Sequence, residues 1–361
     1  MTWPRLELGR ILSWVRASLW RRRVRRGLPM MRYRRLGRTG LVVSEIGLGG
    51  GGIGQVWGET TDEEIQATIA LAIREGINFY DVAPSYGNGT AERNLGRALV
   101  EARDGIGQDM LVATKVSLRD DDLDDIGGAV ERGLHESLER LRRERVDLFQ
   151  LHNSITPERG QFPRSIALAD AIRAVEALHR LRDAGLTRYI GITGMGNAAC
   201  VRQVMREGAL DTVQVYYNLL NNSASKALPP GSSVHDHGQL LPLAAELGLG
   251  VIGIRNLAGG ALSQGVDRSV ASDSLVALDA QRAEQLRFLE ESGAPLSRVA
   301  ARFVLEQPAV STVIPGVKNR IELEDQLQAM DLPPLAAVDA ARLEKLRIDD
   351  FGLRQPSDRL L

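Results

Sequence analysis

The 361-residue chain is poor in cysteine and contains no long run of apolar residues. Because Cys200 is its single cysteine, the chain cannot form an internal disulfide, which favours a reducing compartment, and we expect a cytoplasmic protein. No segment approaches the length of apolar sequence that spans a bilayer. A chain of this length still buries most of its apolar surface on folding, so it requires neither disulfides nor a structural metal.

Basic residues are scarce outside the first thirty positions. The whole chain carries 45 Lys and Arg against 46 Asp and Glu, a formal net charge of −1. Residues 1–30 contain eight of the arginines and one of the acids, and removing them leaves 37 basic and 45 acidic side chains. Such an acidic body argues against general binding of nucleic acid, and an anionic ligand would have to be held by local donors.

The basic segment 1–30 has an amphipathic pattern of its own. Its apolar residues on one helical face are Leu8, Ile11, Leu12, Val15 and Leu19. This pattern is typical of a membrane-surface helix or a transit-type segment. An isolated helix of this length is marginal, so we expect a poorly packed basic N-terminal extension, helical or disordered, ahead of a single folded domain at 31–361.

From Tyr33 onward, short apolar runs alternate with longer helical segments. The apolar runs are 44–50, 77–83, 110–116, 146–152, 188–193, 212–218, 250–254 and 310–315. The segments with a helical pattern are 62–75, 90–102, 124–142, 168–184, 198–207, 238–247, 280–291 and 319–330. Runs that are apolar throughout predict parallel strands covered by helices on both faces. Eight such units without a strong boundary predict an α/β fold, a closed (β/α)₈ TIM barrel.

Three further patterns refine the predicted fold. The glycine-rich stretch at 47–54 does not open a helix on its last glycine, which weakens the alternative of a doubly wound dinucleotide-binding sheet. The segment "YRRLGRTGLVVSEIG" predicts a short N-terminal β-hairpin that turns at Thr39–Gly40. Two connections, 218–238 and 256–280, are long and follow strands, so in a barrel both would lie at the rim where the strands end.

Polar side chains end five of the predicted strands. They are Asp81, Lys115, His152, Thr193 and Gln214. Tyr86 follows Asp81 by five residues, in a loop that contains Gly87 and Gly89. All strands of a parallel barrel open on the same face, so topology alone is expected to bring these side chains together.

Lys115 is the most informative of these residues, because an unpaired buried ammonium is very costly. We expect Asp81, one strand away, to pair with it. The ammonium would then lower the pKa of Tyr86 from about 10, so that the tyrosine donates a proton to a carbonyl or takes one from an alcohol. His152 would donate a hydrogen bond to the same carbonyl oxygen. No side chain supplies a hydride, so a cofactor must do so.

The segments that carry these residues together resemble the aldo-keto reductase family. The resemblance covers roughly 32–335 and rests on "YRRLGRTGLVVSEIGLG", "NFYDVAPSYGNGTAERNLGRAL", "ATKV", "VDLFQLHN", "GLTRYIGIT", "VQVYYN", "LAGGAL" and "VIPGVKNRIELEDQL". It implies a catalytic tetrad formed by Asp81, Tyr86, Lys115 and His152. It also implies NADPH bound in an extended form on the barrel rim and a small carbonyl or alcohol substrate.

The resemblance assigns contacts to the nicotinamide half of the cofactor. The residues at the nicotinamide end are Asp81, Thr193, Gly194 and Gln214. Thr193 stands where the family usually has serine, and Gly194 replaces a usual asparagine. Ile254 or Arg255 occupies the place of an aromatic ring that stacks on nicotinamide in many relatives. Leu257 and Gly259 lie in the loop 256–260, which fits the segment that covers the pyrophosphate.

The resemblance also assigns contacts to the adenosine half. Lys318 and Arg320 precede a helix start, a suitable place for an anion, and resemble the contacts to the 2′-phosphate. They favour NADP over NAD, although a solvated basic turn is the simpler interpretation of the same residues. Asp325 and Gln326 stand where the family places an acid–amide pair against adenine.

Two other functions fit parts of the sequence. Members of the same family serve as NADPH-binding auxiliary subunits of potassium channels and keep the tetrad, so a catalytically weak regulatory subunit is the main alternative. A metal hydrolase on the same barrel would draw on His235, Asp236 and His237, which form a weak ligand set in a polar loop, and we expect no metal there. Trp57 and the two long loops are expected to shape the substrate site.

Overall fold

The computed structural model describes residues 28–102, 110–266 and 268–353. Most of the predicted basic extension at 1–30 lies outside the described residues. Within the described ranges, no helix is both long enough and apolar enough to cross a membrane.

A short β-hairpin precedes the barrel, as the sequence predicts. Its strands β1 (Tyr33–Arg35) and β2 (Val42–Ser44) pair antiparallel, and a 3₁₀ turn at Gly37–Thr39 joins them. The backbone nitrogen of Arg38 donates to the carbonyl oxygen of Gly248 at 2.9 Å. The hairpin therefore lies against the amino-terminal end of the barrel, away from the rim where the strands end.

Eight parallel strands form the barrel in the order of the chain. After the hairpin, the described residues form ten more strands, which include the eight of the barrel. They are β3 (Leu48–Gly49), β4 (Phe79–Asp81), β5 (Leu111–Val116), β6 (Val146–Leu151), β7 (Ser154–Thr156), β8 (Ser165–Ala167), β9 (Thr187–Thr193), β10 (Thr212–Tyr216), β11 (Gly250–Ile254) and β12 (Val310–Val313). Strands β7 and β8 pair with each other in the connection after β6, and the other eight form one sheet.

The first and last strands of this sheet are joined, which closes the barrel. Parallel bridges connect Ile46 with Val313 and Gly49 with Gly316. The backbone nitrogen of Gly47 donates to the carbonyl oxygen of Val313 at 2.8 Å. The predicted (β/α)₈ barrel is confirmed, with strands buried on both faces as the continuous apolar runs indicate.

Eleven α-helices occur among the described residues, and most of them cover the sheet. They are α1 (Gly50–Ile53), α2 (Asp62–Arg74), α3 (Thr90–Ala102), α4 (Ile126–Leu141), α5 (Leu168–Asp183), α6 (Ala198–Glu207), α7 (Leu240–Leu247), α8 (Leu275–Glu284), α9 (Leu296–Leu305), α10 (Arg320–Gln328) and α11 (Ala337–Ile348). Thr61 caps α2 by accepting a hydrogen bond from the backbone nitrogen of Glu64, which is one reason why that helix starts where it does.

The last third of the chain differs from the sequence-based expectation. The helix predicted at 280–291 has the wrong bounds, because Ser274 caps a helix that begins at Leu275, and a 3₁₀ segment at Arg287–Ser292 follows it. Helices α9 and α11 lie in segments where the sequence analysis predicts none. The start of α9 could have been predicted, because the helix follows Pro295 directly and proline is tolerated at the start of a helix. The paired strands β7 and β8 are also not among the elements predicted from the sequence.

The interior of the barrel changes from apolar to polar along its axis. The inner side chains near the amino-terminal end, with those of the hairpin that closes it, are Phe79, Leu111, Ala113, Leu148, Ile252, Leu36 and Val43. Because strand side chains alternate with a period of two, the next inner positions toward the rim are Asp81, Lys115 and Gln150. All three are buried. The fold therefore places charged and amide groups on a closed apolar layer that shields them from water.

Two glycines of the hairpin provide a matched test of this closure. Both Gly37 and Gly40 have positive φ, +49° and +74°. A Cβ on Gly37 would overlap the backbone of Gly250, whereas a Cβ on Gly40 would meet nothing within 4 Å. We expect Gly40→Ala to lower the free energy of unfolding by about 1 kcal/mol and Gly37→Ala to lower it by at least about twice as much. Equal losses in urea unfolding would contradict close packing of the hairpin on the barrel.

Candidate active site

A buried ion pair lies at the centre of the barrel mouth. The Nζ atom of Lys115 donates to a carboxylate oxygen of Asp81, and the two side chains are 0% and 1% exposed. The same nitrogen donates to the carbonyl oxygen of Val82 at 2.9 Å and to Oη of Tyr86 at 3.3 Å. All three donors of the ammonium are therefore used, one of them on the phenol.

Two amides hold the other oxygen of Asp81. Gln214 donates from Nε2 at 2.6 Å and Gln150 from Nε2 at 3.2 Å. The sequence analysis identifies Gln214 but misses Gln150. The signal was available, since Gln150 is a polar residue within an apolar strand at the inner-face spacing of Leu148. These hydrogen bonds orient the carboxylate and support its charge.

The pKa directions follow from the competition between burial and pairing. Burial opposes a charge on Lys115, but Asp81 and Tyr86 outweigh it and hold the pKa of the ammonium above its ordinary value. Burial is also the largest effect on Asp81 and raises its pKa, while Lys115, Gln150 and Gln214 oppose that rise. The ammonium is therefore charged at neutral pH, and Lys115, Gln150 and Gln214 favour the charged form of Asp81.

Tyr86 differs from the sequence-based expectation. Burial raises the pKa of its phenol above the ordinary value of 10.0, and the nearby Lys115 reduces this rise without reversing it. The expected net lowering is wrong because the cost of a desolvated phenolate exceeds the attraction of the ammonium. The phenol is consequently protonated at neutral pH.

A glycine-rich loop returns Tyr86 to the barrel mouth. Gly87 and Gly89 have φ of +64° and +80°, a backbone region that glycine enters without strain. A Cβ on Gly87 would overlap the carbonyl oxygen of Gly54. The backbone nitrogen of Ala91, in the first turn of α3, donates to the carbonyl oxygen of Tyr86 at 3.2 Å. The phenol is thus fixed by backbone on both sides.

His152 belongs to a directional hydrogen-bond chain. Its Nδ1 lies 2.8 Å from Oγ1 of Thr193, and that hydroxyl donates to Oε1 of Gln214 at 3.1 Å. The amide of Gln214 is oriented by its contact with Asp81. Because the Thr193 hydroxyl has one proton and gives it to Gln214, Nδ1 of His152 carries a proton and donates to Thr193.

This assignment changes the expected role of His152. Burial lowers the pKa of His152 to about 3, and the charge of Lys115 lowers it further in the same direction. A neutral ring with its proton on Nδ1 leaves Nε2 as a hydrogen-bond acceptor. In this tautomer Nε2 can accept a hydrogen bond from a ligand, whereas the role predicted from the sequence is donation to a carbonyl oxygen.

A cavity of about 770 Å³ opens above these groups. The predicted site residues that line it are Asp81, Tyr86, His152, Gln214, Ile254, Leu257, Gly259, Lys318, Asp325 and Gln326. It extends from the reacting groups at the barrel mouth to the start of α10. Lys115 and Thr193 lie directly beneath its floor and act through Asp81, Tyr86 and His152.

Two predicted cofactor contacts lie elsewhere. Arg320 is 53% exposed and forms an ion pair with Glu64 at 2.9 Å, and it does not line the cavity. Gly194 also lies outside the lining. A Cβ there would be 2.8 Å from Leu240 and 3.0 Å from the carbonyl oxygen of Gln214, so packing leaves no room for the asparagine that is usual at this place.

The remaining predicted contacts lie at the far end of the cavity, within a polar network. Lys318 is 12% exposed and lies 3.4 Å from Glu322. Asp325 accepts from Oγ of Ser297 at 2.6 Å, and Gln326 accepts from Nδ2 of Asn256 at 3.1 Å. These groups are held in place before any ligand binds.

The histidine cluster of the long β10 connection packs against the rim. His235 lies 3.0 Å from the carbonyl oxygen of Gly196, and the ring of His237 lies edge-on to Tyr216 at 5.2 Å. Burial lowers the pKa of His237 to about 3. In the described ranges, no group of three or more His, Cys, Asp or Glu residues is arranged to hold a metal.

The neutral state of His152 can be tested by NMR. With a pKa of about 3, the ring should keep its Nδ1 proton and show constant ¹⁵N shifts between pH 8 and pH 5. The signal is assigned by its loss in His152→Gln. In Thr193→Val the acceptor of the Nδ1 proton is gone, and we expect a second tautomer to be populated. A ring that takes up a proton between pH 7 and pH 5 would contradict the assignment.

Comparisons with known proteins identify the family of the chain. The sequence profile of the Aldo/keto reductase family matches residues 45–348. L-galactose dehydrogenase of Arabidopsis thaliana is 29% identical over 84% of this chain and 89% of its own length. D-threo-aldose 1-dehydrogenase of Pseudomonas sp is 28% identical over 82% and 92%. A probable voltage-gated potassium channel subunit beta of Oryza sativa subsp. japonica is 27% identical over 84% and 93%.

A solved structure shares the fold. The holo form of the aldo-keto reductase AKR11C1 from Bacillus halodurans superposes with a TM-score of 0.67 at 24% identity, covering 88% of this chain and 96% of that one. The profile match spans most of the chain, and the barrel carries the tyrosine, lysine and aspartate in contact at its mouth. The protein belongs to the Aldo/keto reductase family and is an oxidoreductase that acts on CH–OH and C=O groups.

Proposed function

We propose that the protein is an NADP(H)-dependent oxidoreductase that transfers hydride between nicotinamide and the carbonyl or alcohol group of a small sugar, aldehyde or ketone, with Tyr86 as the general acid and base. The observation that carries this proposal is the 3.3 Å contact between Nζ of Lys115 and Oη of Tyr86. Asp81 neutralises the charge of Lys115. The phenol is thereby the group in the cavity best placed to exchange a proton with a substrate oxygen.

A sugar is the favoured substrate class. Two of the relatives named above are a galactose dehydrogenase and an aldose dehydrogenase. Sugars carry hydroxyls next to the reacting carbon, and the acceptor nitrogen of His152 matches a hydroxyl donor. The cavity also offers Trp57 and Tyr216, aromatic faces that suit the C–H face of a sugar ring.

The cavity fits a nicotinamide dinucleotide in an extended form. Its volume of about 770 Å³ lies in the range of cofactor sites, and it continues from the tetrad to α10. Gly259, with φ of +69°, lets backbone approach the middle of the ligand, where a pyrophosphate would lie. Gln214 would contact the nicotinamide end, and Lys318 the phosphate of the adenosine end. When bound, the nicotinamide donates or accepts the hydride.

In the reductive direction, Tyr86 gives its proton to the carbonyl oxygen while hydride reaches the carbonyl carbon. One C=O bond becomes one CH–OH group, and the phenolate that remains is stabilised by Lys115. In the oxidative direction, the phenolate takes the hydroxyl proton while hydride leaves the carbon. Nε2 of His152 would accept from a neighbouring hydroxyl of the substrate and orient it. Asp81 keeps Lys115 charged and in place throughout.

The regulatory alternative shares the fold and the cofactor. The relative from Oryza sativa has a channel-subunit name and matches over most of both chains. Because such subunits keep the tetrad, the preference for turnover rests on the two dehydrogenase relatives. A screen with both nicotinamide cofactors, in both directions, over sugars, 4-nitrobenzaldehyde and methylglyoxal separates the two. Tight NADPH binding without turnover of any compound would favour the regulatory role and overturn the proposed one.

The role of Tyr86 is tested with a matched pair of variants. Tyr86→Phe removes the proton donor and should lower kcat with 4-nitrobenzaldehyde by about 10²–10⁴-fold, while the Kd for NADPH stays nearly unchanged. Tyr216→Phe is the control, since its hydroxyl contacts Sδ of Met195 at 3.1 Å and does not contact Lys115. Similar kcat values for the two variants would assign proton transfer to another group.

Cofactor choice is tested with a second pair. Lys318 lines the cavity, and its loss should weaken NADPH binding by about 10- to 100-fold while NADH is affected much less, since only NADPH has the 2′-phosphate. Arg320→Ala is the matched control, because Arg320 pairs with Glu64 outside the lining. If Arg320→Ala removes the preference and Lys318→Ala does not, the phosphate site lies at Arg320.

A further inference from the structure

Arg255 is a cationic residue at the rim that the proposed reaction does not use. It directly follows β11, lines the cavity and is partly buried. Its φ of +57° is uncommon for a residue with a side chain. The carbonyl oxygen of Arg255 accepts from Nδ2 of Asn218 at 3.0 Å and from the backbone nitrogen of Ala258 at 2.9 Å. These contacts fix the backbone and therefore the direction in which the side chain leaves it.

The guanidinium of Arg255 has no salt bridge among the described residues. Its centre lies 5.8 Å from the ring centre of Tyr216, and a Cβ built on Gly259 would lie 3.4 Å from its Nη1. Asp279 is within range of its charge but is hydrogen-bonded to Arg282 at 3.0 Å. A partly desolvated cation without an acid in contact is costly, and it is suited to an anion supplied by a ligand.

Arg255 lies near the reacting groups. Its guanidinium lies 5.8 Å from the ring centre of Tyr216, and Tyr216 lines the same cavity as Tyr86 and His152. The guanidinium and the proposed reacting groups therefore face one cavity.

The other cations of the cavity lining have partners. Arg268 donates to the carbonyl oxygen of Gly259 at 2.8 Å and lies 5.2 Å from the ring of Trp57. Lys318 lies beside Glu322, at the end of the cavity away from the tetrad. Within the described lining, Arg255 is thus the cation that both faces the catalytic end and has no acid or carbonyl bound to its guanidinium.

We propose that Arg255 binds the carboxylate of an acidic sugar, so that the preferred substrates are uronates, sugars with a carboxylate at the end opposite the reacting carbon. This inference rests on the proposed function and names its substrate class. A guanidinium matches a carboxylate with two parallel N–H···O bonds and is always charged. In the reaction, C1–H would leave as hydride to the nicotinamide, and the O1 proton would go to the phenolate form of Tyr86, which Lys115 stabilises. The carboxylate is unchanged.

The test compares two sugars that differ at one carbon. D-galacturonate and D-galactose are identical except at C6, which is a carboxylate in the first and CH₂OH in the second. We expect the wild-type kcat/KM with NADP⁺ to favour the uronate by about 10- to 100-fold. In Arg255→Gln this ratio should fall to near one, and Arg255→Lys should retain part of it. A wild-type ratio near one would overturn the proposal.

A second arm separates the substrate from the cofactor as the source of the anion. If Arg255 instead binds the cofactor pyrophosphate, Arg255→Gln should weaken NADPH binding about 10-fold or more and leave the ratio of the two sugars unchanged. That result would overturn the proposal. The proposal is supported if Arg255→Gln binds NADPH with a Kd within about threefold of wild type and loses the preference for the uronate over the neutral sugar.

A third arm keeps the inference separate from the proposed reaction. If neither sugar is turned over, calorimetric titration of D-galacturonate and D-galactose into protein saturated with NADP⁺ still measures the carboxylate site. Uronate binding about 10-fold tighter than that of the neutral sugar, lost in Arg255→Gln, would support the site while the proposed reaction fails. Equal affinities would overturn the site itself.

Discussion

The ion pair between Asp81 and Lys115 is the interaction on which the site depends. Removing one partner of such a buried pair typically costs about 3–5 kcal/mol, because the other charge is left without compensation. Here the pair is surrounded by donors and acceptors: two glutamines on the acid, and a carbonyl and a phenol on the ammonium. The pair therefore places a charged ammonium against the phenol of Tyr86, which we propose as the proton donor.

The barrel makes this arrangement possible by separating two layers. Phe79, Ala113 and Leu148 fill the inner positions near the amino-terminal end, and the hairpin closes that end. Two residues further along the same strands stand an acid, a lysine and a glutamine. The apolar layer excludes water from one side of the charges. The pKa values of Tyr86 and His152 are therefore set by electrostatic interactions in a desolvated site. The open side is left for the ligand.

Much of this could be predicted from the sequence because it follows from topology. A buried lysine at the end of a strand requires an acidic partner, and parallel strands bring their ends together. These two facts are sufficient to predict the pairing of Asp81 with Lys115. The pKa of Tyr86 could not be predicted, since burial competes with a charge and the sign depends on the degree of desolvation. The tautomer of His152 depends on a chain of three hydrogen bonds, and the ion pair of Arg320 with Glu64 joins residues 256 positions apart. Gln150 could have been predicted as a site residue, because it is a polar residue within an apolar strand.

The most direct test of the account is the rate of hydride transfer in a single turnover, followed by NADPH absorbance with 4-nitrobenzaldehyde. The double variant Asp81→Asn/Lys115→Met replaces the ion pair with a neutral pair of similar size and avoids an unpaired buried charge. If the pair prepares Tyr86 for proton transfer, the rate should fall by about 100-fold or more while the variant stays folded. A rate within about threefold of wild type would show that the phenol works without the ion pair and would contradict the account.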